Sequence, residues 1–388
     1  MTIRYPQLAC TVAALLMLLV SGAPALHAKD LNGINLHGFV SQGYLYSKEN
    51  NFYGESTDGS WDFYEAGVGG IYRVDPKLSI AGQLYARDAG RGDDGSIRTD
   101  YFYADYRFFQ SAQSGAGFRA GRVRNPYGFY NSTRDIFFTR PSILLPQLYY
   151  EGYGIRELFF SSDGLQLYNY WDSDQQSTHF IATFGRTDDI DSNTFENIFG
   201  SQGGLFSGQA ELRRPFAAQL STDLMGGRWR AAMSYYDATL TFDSPQAIAE
   251  LDANIIALSL QHNREKISYT LEYSLLSTNG LFASPAFGAA GNFASKGETA
   301  YLQADYQQTG TLTWYTRIDH QLGDRNRPNE TDSTVLTLGG RWAPAPNWLL
   351  AAEVHGVRGS APVPNIDNPN RQISERSELF VMMAGYRF

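Results

Sequence analysis

The chain has 388 residues, with 38 Gly, 25 Tyr, 24 Phe and 18% charged residues, and its formal net charge is −9. The acidic balance argues against nucleic acid as a partner, and a single cysteine, Cys10, excludes an internal disulfide framework. No run after residue 28 approaches the roughly 18 apolar residues of a membrane helix. Abundant aromatic residues and glycine without such runs favour a closed barrel of strands, the other structure that satisfies every backbone group in lipid.

The first 28 residues are predicted to be a Sec-type signal peptide. Arg4 precedes an apolar run over residues 8–20, and a small-residue site ends at Ala28. An N-terminal membrane anchor is the alternative, but the apolar run is short and is interrupted by Gly22 and Pro24. Removing Arg4 with this segment leaves 30 basic against 40 acidic residues, a net charge near −10.

Residues 29–388 predict an all-β fold, a transmembrane antiparallel β-barrel of about 16 strands. In the 267–277 segment, for example, Ile267, Tyr269 and Leu271 alternate with Ser268 and Thr270, which is the period of a strand with one apolar face. An even strand number is usual for bacterial barrels. The strands are predicted at 33–46, 61–73, 78–88, 99–109, 115–124, 163–171, 177–187, 208–222, 228–242, 253–262, 267–277, 298–307, 311–322, 334–343, 347–358 and 376–388.

The predicted connections alternate between short and long. Short turns fall at 74–77, 110–114, 263–266, 308–310 and 343–347. Polar loops fall near 47–60, 88–98, 125–162, 188–207, 278–297, 323–333 and 359–375, with a shorter one near 243–252. This asymmetry is typical of periplasmic turns and extracellular loops in outer-membrane barrels. A soluble β-propeller or solenoid is the rival interpretation, but it predicts neither this alternation nor the absence of a fixed-period repeat.

The final ten residues, LFVMMAGYRF, place Phe380, Met382, Ala384, Tyr386 and Phe388 on one face of a strand that needs a cover. With the predicted signal peptide and sixteen strands, this ending resembles the Gram-negative outer-membrane porin superfamily. The resemblance implies export to the cell outer membrane, contact with its lipid and lipopolysaccharide, and assembly as a homotrimer. It also implies that Tyr386 and Phe388 form the signal read by the barrel-assembly machinery.

The 125–162 connection is by far the longest, and it is apolar and punctuated by Pro141 and Pro146. In general porins the third long loop folds into the lumen and narrows the pore, so the resemblance implies that 125–162 is a constriction loop. An extracellular lid or a trimer-contact loop is the alternative. Gly121 and Arg122 resemble the Gly-Arg pair that supplies a constriction arginine in those porins. Strict alternation puts Arg122 on the lipid face, so we expect either a bulge at Gly121 that turns it inward, which we favour, or a position at the outer rim.

Charged residues around this loop are expected to set the selectivity of the pore. Six arginines in this region outnumber its three carboxylates, which are Asp135, Glu151 and Glu157. This excess of positive charge predicts a mild anion preference. The alternative is that the arginines pair with loop carboxylates and only hold the loop in place. The predicted constriction residues are Arg119, Arg122, Arg124, Arg134, Asp135, Arg140, Glu151 and Arg156.

The pore wall is expected to include Tyr101, Tyr103, Asp105 and Arg107, which alternate with outward residues on the fourth predicted strand. The two tyrosines could instead form a slide for sugars. The predicted function is passive diffusion of small hydrophilic solutes; the alternative is a non-conducting barrel, such as an adhesin, a structural protein or a component of an export system. No enzymatic activity, cofactor or metal is expected, because the histidines are scattered without metal spacing and no catalytic triad is indicated.

Overall fold

The computed structural model describes residues 30–31, 33–151, 156, 159–187, 190, 209–243, 248–284, 289–369 and 372–388. The predicted signal peptide, Glu157 and all of the predicted 188–207 loop except residue 190 lie outside the described residues. Within the described ranges, no helix has both the length and the apolar character needed to cross a membrane.

A two-residue strand, β1 (Asp30–Leu31), pairs with the start of β2. Sixteen longer strands follow within the described ranges, so the predicted number is confirmed. Their bounds are β2 Ile34–Lys48, β3 Ser60–Arg73, β4 Leu78–Ala89, β5 Asp94–Gln110, β6 Ser114–Arg124, β7 Ser161–Asp172, β8 Gln176–Arg186, β9 Gln209–Leu224, β10 Trp229–Asp243, β11 Ile248–Asn263, β12 Ile267–Ser284, β13 Ala289–Gln307, β14 Leu312–Leu322, β15 Asp332–Ala345, β16 Trp348–Arg358 and β17 Arg376–Arg387.

The strands β2 to β17 form a closed ring. Each pairs antiparallel with the next along the chain, and β17 pairs with β2. The final residue completes this seam, because the Phe388 N–H donates to the Gly38 carbonyl at 3.0 Å and the Phe388 carbonyl accepts from the Gly38 N–H at 3.2 Å. The Phe388 ring occupies the space that a Cβ on residue 38 would need, so a larger residue there would displace this ring. The all-β closed barrel predicted from the alternation is therefore confirmed.

The two faces of the sheet differ in chemistry as the alternation predicts. Large apolar side chains point outward, and Phe102, Leu302 and Trp342 are 59%, 49% and 49% exposed. Inward positions include buried polar residues such as Glu272 and Arg317. An apolar outer surface and a partly polar interior are the pattern of a barrel whose outside is covered by lipid.

The connections at one end of the barrel are uniformly short, with two to four residues between successive strands. Those at the other end vary, and two predicted long loops are wrong. The predicted 88–98 loop is reduced to residues 90–93, and most of the predicted 278–297 loop is strand, since β12 continues to Ser284 and β13 begins at Ala289. The added strand residues mix polar residues, glycine and a few apolar residues without regular alternation. Loss of apolar alternation therefore marks the end of the apolar surface and not the end of the strand.

Candidate functional site

The connection after β6 begins with residues 125–151, which we call the long segment. It contains single helical turns at Asn131–Thr133, Phe137–Thr139 and Gln147–Glu151, and most of its residues are buried. Three carboxylates on the inner face of the barrel bind it: Glu65 of β3, Glu272 of β12 and Glu353 of β16, each at most 1% exposed. β3 and β16 lie on one side of the ring and β12 lies on the other, so the segment contacts two well-separated parts of the inner wall.

The first attachment is an ion pair between Arg140 and Glu65. The two terminal guanidinium nitrogens of Arg140 donate to the two carboxylate oxygens of Glu65 at 2.8 and 2.6 Å. Both side chains are almost completely buried, and Arg87 of β4 lies 3.6 Å from the same carboxylate. A bidentate arginine–carboxylate pair fixes direction as well as distance. It therefore orients the middle of the long segment against β3.

The second attachment uses backbone groups of the long segment. Glu353 accepts hydrogen bonds from the backbone N–H groups of Ile143 and Leu144, and also from the Tyr315 hydroxyl at 2.6 Å. Arg317 of β14 donates to the Leu144 carbonyl at 3.2 Å. A segment that is neither helix nor strand has backbone N–H and C=O groups without regular partners, and burying such groups without hydrogen bonds costs free energy. The inner wall provides those partners here.

The third attachment joins both ends of the long segment to β12. Glu272 accepts hydrogen bonds from the Tyr150 hydroxyl at 2.6 Å and from the Phe129 N–H at 2.9 Å. Two wall residues, Ser259 and Tyr301, donate to the same carboxylate at 2.5 Å each. All four donors are neutral, and they are the hydrogen-bond partners of this buried carboxyl group among the described residues.

Apolar side chains of the long segment pack against inward residues in two clusters. The first, which we call the packed side, joins the segment to β2, β3 and β15 to β17. The second joins it to β9 to β13. The packed side includes Leu45, Phe63, Phe137, Ile143, Leu144, Leu148, Val335, Leu349, Val381 and Met383. The second cluster includes Tyr127, Leu145, Tyr149, Tyr150, Leu212, Tyr236, Ile255 and Tyr301.

A dense group of ion pairs lies at the long-connection end of β4. Arg156 contacts Asp135 at 2.5 Å, Glu151 at 3.0 Å and Asp93 at 3.6 Å. Arg87 contacts Asp93 at 2.8 Å and Glu151 at 3.6 Å. Each of the five residues has at least two partners of opposite charge. For Asp135 the second partner is Arg134, which lies outside this group.

The positive side chains of this network change the acidity of its carboxyl groups. Burial alone raises the pKa of a carboxyl group. For Asp135 that effect is outweighed by Arg156 and then Arg134, so its pKa is lowered from the ordinary value. For Glu151, Arg156 and Arg87 likewise outweigh burial and lower the pKa. Both groups are therefore negatively charged partners of Arg156 at neutral pH.

A cavity of about 440 Å³ lies between the start of the long segment and the inner faces of β5 to β10. Its polar lining includes Arg119, Gln166, Gln219, Asp223 and Arg230. Its roof is held to the wall, because the backbone carbonyl of Gly128 accepts a hydrogen bond from Gln219 at 2.9 Å. Asp223 and Arg230 lie next to a short turn, so the cavity extends from the long segment to the short-turn end of the barrel.

No protein-family model matches the chain, and no curated protein matches it in sequence. Solved structures do resemble it. The outer membrane protein OmpT of Vibrio cholerae and the outer membrane channel DcaP of Acinetobacter baumannii are each 12% identical to it. Each aligns over 94% of this chain and 100% of its own, with a TM-score of 0.59. The anion-selective porin from Comamonas acidovorans is 11% identical over 92% of this chain and 99% of its own, with a TM-score of 0.57.

The chain has the porin fold. At these identities the similarity concerns the fold alone, and what each of those proteins conducts or assembles into is a property of that protein. The fold that the predicted resemblance implies is therefore confirmed.

The predicted pore-wall residues lie on the inner face of β5. Asp105 accepts a hydrogen bond from Arg119 at 3.0 Å, and the Arg119 guanidinium lies 5.2 Å from the Tyr103 ring. The guanidinium of Arg124 lies 5.0 Å from the Tyr101 ring, so each of these rings has a cation on one face. Arg107, near the short-turn end, donates to Gln110 at 2.9 Å and lines no part of the cavity.

The expected bulge at Gly121 is wrong, and Arg122 is on the outer face. The pairing of β5 with β6 runs without a shift from Asp105 opposite Arg119 to Phe102 opposite Arg122. Arg122 forms an ion pair at 3.3 Å with Asp163 of β7, and the two side chains are 36% and 50% exposed. A neighbouring outward carboxylate neutralises the arginine close to the end of β6, so no bulge is needed. Arg122 is therefore removed from the predicted constriction residues.

The excess of positive charge expected around the long segment disappears when the wall residues are counted. Each of the six predicted arginines forms an ion pair with a carboxylate. The expected excess includes only the carboxylates of the long connection, whereas most of the partners lie on the strands. The strand and turn partners are Glu65, Asp93, Asp100, Asp105 and Asp163.

Asp100 illustrates why the wall carboxylates were missed. The pairing of β4 with β5 shifts between Gln83 and Leu84, which leaves Asp100 as an extra residue in β5. Asp100 is 8% exposed, accepts a hydrogen bond from Gln83 at 2.7 Å and pairs with Arg124. Strict alternation assigns it to the outer face. A bulge changes that assignment, and its position is set by tertiary pairing, which the local pattern does not contain.

Proposed function

We propose that the protein is an outer-membrane channel through which small hydrophilic solutes diffuse passively. The observation that carries this proposal is a closed, outwardly apolar barrel with a polar cavity between its inner wall and the long segment. The predicted signal peptide agrees with export to the outer membrane. The fold similarity to DcaP, described as an outer membrane channel, and to the Comamonas acidovorans anion-selective porin adds support.

The proposed channel has weak ion selectivity. A mild anion preference was expected from an excess of arginines, but each of those arginines has a carboxylate partner. Paired charges in a narrow space largely cancel beyond the distance that separates them. Preference between small anions and cations then depends on local geometry rather than on net charge.

A non-conducting barrel is the second candidate, and one observation favours it. The long segment packs through apolar side chains against opposite parts of the wall, with Ile143 and Leu148 fully buried on one side and Tyr149 and Tyr150 on the other. A barrel whose segment stays in this position provides a rigid scaffold. Conductance distinguishes the two candidates.

The channel proposal is tested in planar lipid bilayers with single-cysteine variants. The only native cysteine, Cys10, lies in the predicted signal peptide, so an introduced thiol is expected to be unique in the exported protein. Ser221→Cys places a thiol in the cavity, and Ser41→Cys, at a position 1% exposed on the inner face of β2, is the matched control. An anionic thiol reagent is expected to reduce the conductance of the Ser221 variant only.

Folded protein that gives no single-channel steps would overturn the channel proposal and favour the scaffold. Equal modification and block of both variants would instead overturn the path along the cavity.

We also expect the protein to form a homotrimer and to be inserted by the barrel-assembly machinery through Tyr386 and Phe388. We expect no enzymatic activity. Native gels in mild detergent that reveal only monomer would contradict the trimer.

A further inference from the structure

We propose that the cavity along β5 to β10 binds neutral, polyhydroxylated solutes of the sugar class, and that Arg119, Asp223 and Arg230 select them. This inference rests on the proposed channel function and adds the class of solute to it. Three features of the cavity support it: its arginines are paired with carboxylates, several hydrogen-bonding atoms are left open, and aromatic rings pack against the arginines.

Three arginines line the cavity, and each has a carboxylate partner; Asp223 also lines the cavity, whereas Asp105 and Asp100 lie outside its lining. Arg119 pairs with Asp105 at 3.0 Å, Arg230 pairs with Asp223 at 3.1 Å, and Arg124 pairs with Asp100. An ion that enters such a site loses water without meeting an unpaired charge of opposite sign, and that desolvation is costly. A neutral solute loses less. The cavity therefore discriminates against both signs of charge.

The same residues leave both donors and an acceptor open to the cavity. Arg119 uses its Nε for Asp105 and one terminal nitrogen for Gln166 at 2.8 Å. Arg230 likewise uses its Nε for Asp223 and one terminal nitrogen for Gln261 at 3.0 Å. Among the described residues, the second terminal nitrogen of each arginine has no partner, and neither has the second carboxylate oxygen of Asp223. Neighbouring hydroxyl groups both donate and accept, so they match this mixed set.

Aromatic rings pack against the guanidinium groups of Arg119 and Arg230. The Arg119 guanidinium lies between Tyr103 and Tyr168, at 5.2 and 5.0 Å from the ring centres. The Arg230 guanidinium lies 5.0 Å from the ring centre of Phe129, in the long segment. These contacts restrict the guanidinium planes before a solute arrives, which reduces the entropy cost of binding. The volume of about 440 Å³ lies in the range of small-molecule sites.

The test compares three solutes with one carbon skeleton: D-glucose, which is neutral, D-gluconate, which is anionic, and D-glucosamine, which is cationic. Each is titrated against single-channel current in planar bilayers, and binding to the detergent-solubilised barrel is measured by saturation-transfer NMR. We expect glucose to half-block the current at a concentration about tenfold lower than either charged analogue. Tighter block or binding by gluconate or glucosamine, or equal effects of all three, would overturn the inference.

Charge-changing variants sharpen the test. Asp223→Asn leaves Arg230 without its partner, so the preference should shift to gluconate; Arg230→Gln leaves Asp223 alone, so it should shift to glucosamine. Arg213→Gln is the matched control, because Arg213 is also on β9, pairs with Glu211 at 3.2 Å and lines no part of the cavity. The control should retain the glucose preference.

The failures of the two proposals are distinguishable. A folded barrel without single-channel steps but with glucose preference in the NMR measurement would count against the channel alone. A conducting barrel without glucose preference would count against the sugar site alone. If a variant does not fold, as judged by the heat-modified shift on gels, the wild-type comparison of the three solutes still decides the inference.

Discussion

The packed side and the cavity side of the interior are built by the same alternating strands but differ in what the strands place inward. On the packed side, Leu45, Phe63 and Val381 have no exposed surface and contact the long segment directly. On the cavity side, inward positions are polar, such as Gln219 and Asp223. A closed barrel therefore does not by itself define a pore. The chemistry of the inward residues decides which part of the lumen stays open.

Connections above the packed side reinforce this difference. The Asn50 side chain donates to the Ser374 carbonyl at 2.8 Å, and the Asn51 N–H donates to the Asn368 side chain at 2.9 Å. These bonds join the connection after β2 to the connection after β16, over the end of the apolar cluster. Phe52 of the former belongs to that cluster. The packed side is thus closed along the wall and at the long-connection end.

Arg140→Ala is the change expected to disturb the packed side most. It leaves Glu65 buried without its bidentate partner, and removal of one member of a buried ion pair costs about 3–5 kcal/mol. We expect the long segment to detach from β3 while the barrel stays folded, because the strand ladder is untouched. Detachment should raise single-channel conductance and make the bond after Arg134, a residue now 3% exposed, sensitive to trypsin.

The control for this prediction is Arg213→Ala, which removes one member of an exposed pair worth about 0–1 kcal/mol. It should leave trypsin resistance and conductance unchanged. Wild-type behaviour of Arg140→Ala in both assays would mean that the apolar cluster alone holds the segment.

Glu272→Ala tests the attachment on the other side of the lumen. The substitution leaves the Tyr150, Tyr301 and Ser259 hydroxyls without their acceptor, whereas the Phe129 N–H keeps the Tyr150 hydroxyl oxygen at 3.1 Å. One buried unsatisfied group costs about 1–3 kcal/mol. We expect a smaller loss than for Arg140→Ala, since no charge is left unpaired. The roof of the cavity should loosen, which increases current noise and weakens block by glucose.

Glu272→Gln is the matched variant, because it keeps one acceptor oxygen at the same place. Its effect should fall between wild type and Glu272→Ala. A larger disturbance from Gln than from Ala would show that the donors around Glu272 tolerate an empty site better than an amide, contrary to the role given to this carboxylate.

The ion-pair network of Arg156 should make the segment resistant to mild acid. The pKa values of Asp135 and Glu151 are lowered in the folded protein, so both groups contribute stability above their unfolded pKa, about 4. That contribution is lost only as the pH falls through the lower folded values. Conductance should therefore be constant from pH 7 to about 5 and change below about 4.

The same titration with Asp135→Asn provides the control. The variant lacks one of the titrating carboxylates, so its change below about pH 4 should be smaller than that of the wild type. A transition of the wild type between pH 5 and 7 would assign the acid sensitivity to a group outside this network.

The sequence predicted the barrel well because the outer face is a local property. Contact with lipid requires an apolar residue at every second position, and this period survives in strands such as β12, where Tyr269 and Leu271 point outward. Strand ends were predicted less well, as in β13, because a strand that leaves the apolar band keeps its backbone pairing but loses its pattern. Inward residues obey no such rule, since their neighbours come from distant parts of the chain.

The candidate site was predictable only in part for the same reason. The long segment could be recognised from its apolar content and its length. Its anchors could not, because Glu65, Glu272 and Glu353 are separated by tens to hundreds of residues from the groups they bind. Nothing in the local sequence distinguishes them from solvated strand carboxylates. A carboxylate at a predicted inward position of a strand was the only available signal.

Arg122→Ala is expected to have the smallest effect on conductance and selectivity. It tests whether an arginine on the outer face behaves differently from one on the inner face. Arg122 was predicted to line the constriction, but it pairs with Asp163 across the outer surface, with both side chains partly exposed. An exposed ion pair contributes about 0–1 kcal/mol to stability. A charge on the outer face of the barrel is separated from a solute in the interior by the strand wall. Reversal potential and unit conductance in a salt gradient should therefore match the wild type. Arg119→Ala, which leaves Asp105 unpaired inside, should shift the reversal potential toward cation preference. Equal shifts in the two variants would place Arg122 in the conducting path and remove the distinction between the two faces.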